Sequence, residues 1–77
     1  MRSIMQIIVD SVIEGSFHGF DGGRVYKFIN GGIWEQAEYK YLYHYAYRPN
    51  AQVIAERGAY YLHIEGLKDS VMVKKVR

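Results

Sequence analysis

Apolar and turn-forming residues come in short alternating blocks along the chain. Gly15, the stretch from Gly19 to Gly23, Gly31-Gly32, Pro49-Asn50, Gly58 and Gly66 separate runs rich in β-branched and aromatic residues. Runs of that length and spacing predict an all-β fold rather than βαβ units, with roughly five or six strands. Val25 to Ile29, Asn30-Gly31 and Gly32 to Trp34 read as a hairpin, because Asn-Gly favours a two-residue type I′ turn whose twist matches the flanking strands. That turn registers Phe28 against Ile33 and Lys27 against Trp34. Asp21-Gly22 and Arg57-Gly58-Ala59 mark further turns. Leu62 and Ile64 fall on the core side of the alternating run Tyr60 to Glu65, and Val71 and Val73 share a face in the last run. Residues 3–14 fit two patterns. Ile4, Ile7, Ile8 and Val12 satisfy helical spacing, while the β-branched content favours a strand. The strand is the primary expectation, and an α+β fold with a short N-terminal helix over residues 3–14 is the alternative.

The segment from Ile33 to Tyr47 is the most informative. Tyr39, Tyr41, Tyr43, Tyr45 and Tyr47 recur at every second position, which in a strand puts all these phenol rings on one face. A helix would scatter them around its cylinder. The other face, Trp34, Gln36, Glu38, Lys40, Leu42, His44, Ala46 and Arg48, is mixed. Extended, the segment would reach roughly 50 Å, whereas a globule of 77 residues is only about 30 Å across. It must bend sharply and serve two sheets, or project into a second copy of the chain. The expected architecture is therefore a small, strongly bent antiparallel barrel or roll of SH3-like size. The tyrosine row has two readings. It lines a core with its hydroxyls at the rim, or it is an exposed contact surface for another copy or for stacked bases. A buried row would shift attention to the Trp34 and His44 side. Candidate contact residues are Trp34, Tyr39, Tyr41, Tyr43, His44, Tyr45, Tyr47 and Arg48.

Composition sets the outer bounds. The length fits one domain spanning residues 1–77, and 49% hydrophobic residues suffice for a small core. With no cysteine there is no disulfide framework and no thiolate metal site, so a reducing cytoplasm is the expected compartment. Gln6 and Asp10 interrupt the opening apolar run, which is too short for a membrane span. No membrane partner is expected. The balance of 10 basic against 8 acidic residues argues neither for nor against a polyanionic partner.

Motifs for chemistry are sparse. His18, His44 and His63 lack the spacing of a local metal site. The glycines at 15, 19, 22 and 23 are not followed by the Lys-Ser or Lys-Thr of a phosphate loop. No catalytic, cofactor-binding or metal-ligating residue is assigned, and catalysis is not the expected role. His44, between Tyr43 and Tyr45 with Glu38 and Lys40 on its own face, is the best-placed proton shuttle. The ordinary reading makes it a polar residue on a half-exposed strand. Arg24, Lys27, Lys40, Arg48 and Arg57 are interleaved with Trp34 and the tyrosines, a mixture that permits single-stranded nucleic acid to stack in a positive groove, although no recognition motif accompanies it.

Phe17-His18-Gly19-Phe20-Asp21-Gly22, Val25-Tyr26-Lys27-Phe28, Asn30-Gly31-Gly32-Ile33-Trp34-Glu35-Gln36 and Tyr39-Lys40-Tyr41-Leu42-Tyr43-His44-Tyr45-Ala46-Tyr47-Arg48-Pro49 resemble a family of small uncharacterised bacterial proteins, some encoded on integron gene cassettes. The resemblance runs from about residue 13 to residue 76, with Phe20 and Glu35 standing where similar proteins often carry Trp and Gln. It implies an accessory role on a mobile element and makes a homo-oligomer plausible, and it carries over no site residue. The expected function is a small binding or interaction module that self-associates through its aromatic strand. Single-stranded nucleic-acid binding is the first alternative and a small-molecule-binding protein or enzyme the second.

Overall fold

The computed structural model describes residues 5–77 and contains eight strands: β1 (Met5–Val12), β2 (Ser16–Phe20), β3 (Val25–Lys27), β4 (Ile33–Gln36), β5 (Leu42–Tyr47), β6 (Asn50–Glu56), β7 (Ala59–Ile64) and β8 (Ser70–Lys75). Six form an antiparallel sheet in the order β1-β6-β7-β8-β4-β3, and β2 pairs with β5 in a separate ribbon. The sheet curls until its two edges meet. Ile13 N–H donates to the Pro49 carbonyl at 3.0 Å, while on the opposite edge Glu14 N–H donates to Lys27 at 2.8 Å and Ile29 N–H to Val12 at 2.9 Å. The Ile13–Phe28 bridge completes this closure, and the ribbon packs its inner face against the same core. The all-β roll expected from the sequence is what forms. The count exceeds five or six because the bends cut the aromatic segment and the glycine-rich region into separate short strands.

Two expectations need correction. Met5–Val12 is a strand paired along β6, so the helical alternative fails over that range, while residues 3 and 4 lie outside the described residues. Strand pairing wins because it gives the backbone partners and sets Val9 against the core, leaving Met5, Ile7 and Ile8 exposed. The β3–β4 hairpin is also one residue out of the expected register: Tyr26 faces Trp34 and Lys27 faces Ile33. Gly31 N–H donates to the Phe28 carbonyl, and Phe28 N–H to Gly32, both at 2.9 Å, so the loop is Ile29-Asn30-Gly31 with only Gly31 at positive φ. The observed register sets Trp34 on the same face as Tyr26, and both are buried; the expected one would have matched Trp34 with Lys27. The type I′ turn occurs instead at Arg57-Gly58, where φ is 55° and 79° and Glu56 pairs with Ala59. Leu62, Ile64, Val71 and Val73 all face the core, as their alternation predicts.

The long aromatic segment is split between the two sheets within a single subunit. β4 ends at Gln36, residues 37–41 cross over, and β5 begins at Leu42 in the ribbon. Gln36 is only 4% exposed, and its carboxamide uses its full hydrogen-bonding capacity. Oε1 accepts from Asp21 N–H at 2.9 Å and from the Tyr26 hydroxyl at 2.7 Å, and Nε2 donates to the Glu38 and Lys40 carbonyls at 3.0 and 2.8 Å. Beyond the end of β4, one further backbone bond and two side chains cover the edge of β8. Ala37 N–H donates to the Met72 carbonyl and Met72 N–H to Glu38 Oε2, each at 2.7 Å, and Lys40 Nζ donates to Ser70 at 2.6 Å. An edge that could template pairing with another chain is thereby covered.

Gly19 sets how closely the ribbon strands approach. The β2–β5 register shifts between Phe17 and Gly19, so that His18 opposes both His44 and Tyr45. Gly19 has φ 106°, and a Cβ there would stand 1.9 Å from the Leu42 carbonyl oxygen and 2.9 Å from His44 N. Gly19→Ala should lower stability by more than about 3 kcal/mol, because rigid backbone must shift. Gly23→Ala, at φ 77° with open space around it, should lower it by about 1–2 kcal/mol. Urea unfolding of the two variants checks this, and equal losses would refute the close approach.

Burial pushes the Tyr26 phenol up to about 12 from its ordinary 10.0, against the opposing pull of Arg24. A folded value above the unfolded one means that the stabilising contribution is complete below pH 10.0 and is lost as pH climbs towards 12. The loss amounts to about 2–3 kcal/mol. Tyr26→Phe should cost about 1 kcal/mol at neutral pH through the missing hydrogen bond to Gln36, and it should flatten this alkaline decline. Urea midpoints followed into alkaline pH decide the matter; a variant that declines as steeply as the parent would clear Tyr26.

Candidate functional site

β5 alternates between half-buried and exposed residues along its whole length. Leu42, His44 and Ala46 turn inward, where Leu42 and Ala46 pack on the core and the His44 ring lies 6.4 Å from that of Phe17. Tyr43, Tyr45 and Tyr47 turn outward at 66%, 53% and 67% exposure, and Tyr39 and Tyr41, on the crossing segment, stand at 101% and 73%. The tyrosines therefore form an exposed row and do not line the core. A two-stranded ribbon has one face on the barrel, and the narrow residues of β5 occupy it.

The structure separates the other candidates from this row. Trp34 is 2% exposed, edge-on to Tyr60 at 5.2 Å between ring centres, so it is a core residue rather than a contact residue. Its strand belongs to the large sheet, whose pleat turns it inward. His44 is on the inner side of the ribbon, away from the tyrosine rings that flank it in sequence. Glu38 and Lys40, expected beside His44, are engaged with β8 instead. Arg48 does lie at the end of the row. It is exposed with φ 49°, and its N–H donates to the Gly15 carbonyl at 2.8 Å.

Two residues of this face were not singled out from the sequence. Ser16 and His18, exposed on β2, extend the surface beside β5. The His18 ring lies 5.4 Å from the Tyr45 ring, tilted by 55°, and Ser16 Oγ is 3.4 Å from the Tyr45 hydroxyl. The only sequence signal was their period-two spacing around buried Phe17, and the strand they pair with could not be read locally.

The resulting surface is aromatic and hydroxyl-rich, and the segments that carry it bring no carboxylate of their own. Neither β2 nor the stretch from Tyr39 to Val53 contains an acidic residue. With each aromatic side chain presenting about 150–250 Å² in full, the five tyrosines at these exposures offer on the order of 700 Å². Such a surface can stack flat groups, bury apolar area and hydrogen-bond through the ring tips. Among the described residues, no group of three or more His, Cys, Asp or Glu side chains is placed to hold a metal ion, and no helix is long and apolar enough to cross a membrane. Comparison of the chain with protein-family models, curated proteins and solved structures finds no match.

Proposed function

We propose that the protein is a small interaction module that self-associates through the outer face of the β2–β5 ribbon. The observation that carries this reading is the exposed tyrosine row. The largest apolar patch on an ordinary monomer covers about 300–600 Å², and each partner in a standard interface contributes about 800 Å². At about 700 Å² the five tyrosines together exceed the first figure and approach the second. Tyrosine suits the purpose because a rigid ring buries much area for two torsions and keeps a polar tip for hydrogen bonding. A twofold axis across the ribbon would set this face against its own copy. The resemblance to cassette-encoded proteins and the lack of cysteine fit an accessory module working in a reducing cytoplasm.

The absence of acids favours a second reading, single-stranded nucleic acid stacked on the tyrosines with Arg48 and His18 beside its phosphates. Stacking on such rings contributes about 1–3 kcal/mol per base. Sedimentation equilibrium separates the two. The parent chain should form a dimer, and the double variant Tyr43→Ala with Tyr45→Ala should weaken it at least about tenfold, as loss of two interface anchors requires. Both rings point outward, so at concentrations where both chains are monomeric the variant should keep its melting temperature within a few degrees of the parent. A parent that stays monomeric at every accessible concentration ends the self-association reading. If that monomer also binds oligothymidylate with an affinity that falls with salt and is lost on Tyr43→Ala or Arg48→Gln, the second reading takes its place.

A further inference from the structure

On the outer face of the ribbon, His18 is the side chain of a type that changes charge between about pH 5 and 8. Its ring lies 5.4 Å from that of Tyr45. Strands of a ribbon are about 4.8 Å apart, so a surface that covers Tyr45 covers His18 as well. The area points the same way. The five tyrosines offer about 700 Å², short of the roughly 800 Å² that each partner brings to a standard interface, and Ser16 and His18 are the residues that flank the row on β2. Among the described residues, the charged and titratable groups around His18 leave a proton on its ring without a counter-charge. On β5, Tyr43, Tyr45 and Tyr47 share its face, His44 turns inward beneath the ribbon, and exposed Arg48 adds a positive charge at the end of the row. Towards β3, the cleft that His18 borders also holds Glu14, Arg24 and Lys27. Asp21, in the turn after β2, lies 3.8 Å from Arg24 Nη2 and accepts from Gly22 N–H at 2.8 Å. Glu14 and Asp21 on that side are thus matched by Arg24 and Lys27.

We infer that proton uptake by His18 opens the self-associated form, which holds in mild alkali and comes apart in mild acid. The inference rests on the reading of the ribbon as the interface between copies. A neutral His18 ring loses little when a second copy covers it. A protonated ring must shed water from a charge, and burial without a counter-charge disfavours the charged form. The contact with Tyr45 is made in the free chain too, so cation–π attraction to that ring does not offset the loss. The proton is therefore held more weakly in the assembly than in the free chain, and by linkage acid favours the free chain. A twofold axis doubles the effect, because each copy contributes one ring. Association in acid then releases two protons, and each unit of pH below the imidazole range raises the dissociation constant by up to about a hundredfold.

The test is sedimentation equilibrium of the full chain in steps from about pH 8 to about pH 5, with far-ultraviolet circular dichroism at each step. The parent's dimer dissociation constant should rise at least about tenfold across that range while the strand signal stays unchanged. In His18→Gln, an exposed position that keeps a polar side chain without the titrating ring, the constant should move by less than about twofold. His63→Gln, on β7 and away from the ribbon, should follow the parent. A parent dimer that is equally strong or stronger in acid, a His18→Gln dimer as acid-labile as the parent, or dissociation that appears only as the strands are lost overturns the role of His18 and leaves the interface standing. A parent that is monomeric even at the alkaline end removes the interface, and this inference with it.

Discussion

The fold turns on one carboxamide. Gln36 sits where the chain must stop following the large sheet and start the ribbon, and its hydrogen bonds tie that corner to the Asp21 turn, to Tyr26 of β3 and to the two carbonyls of the crossing. A buried polar group without partners costs about 1–3 kcal/mol, whereas each made bond contributes only about 1 kcal/mol net. The network therefore acts chiefly as a constraint. A path that broke this corner would leave the Gln36 carboxamide and the Tyr26 hydroxyl without these partners. The same corner carries Glu38 and Lys40 onto β8 and throws Tyr39 and Tyr41 outward, so one satisfied side chain both divides the aromatic segment and starts its exposed row.

Past the corner, the chain's path is decided by available faces. The ribbon touches the barrel on one side, and Gly19 lets its strands come so close that no Cβ could be accommodated. Phe17 and Phe20 from β2 fill the interior beneath it, while Leu42, His44 and Ala46 complete the contact from β5. Phenol rings at positions 43, 45 and 47 have no place there. Their hydroxyls remain hydrated, and the surface they form is rigid because the inner face of the same strands is locked into the core. Departure of β2 from the barrel also leaves the cleft that exposes one side of Arg24. That change of pairing partner thus creates the surface for which self-association is proposed.

The sequence itself determined the all-β class, the alternation of Leu62, Ile64, Val71 and Val73, the shared face of Tyr43, Tyr45 and Tyr47, and the choice left to the segment from Ile33 to Tyr47 between bending and reaching into a second copy. These depend on period-two patterning and on chain length against globule size, which are local or global properties needing no knowledge of partners. Only the tertiary structure decided which side of β5 meets the core, that Trp34 is buried opposite Tyr26, and that Ser16 and His18 stand beside Tyr45. Those depend on which strands pair and in what register. A shift of one residue exchanges the two faces of a strand, and a bulge such as the one opposite His18 leaves no mark in composition. Side chains distant in sequence, such as Gln36 with Tyr26 or His18 with Tyr45, acquire their roles only when folding brings them together, because hydrogen bonding and burial act through space rather than along the chain.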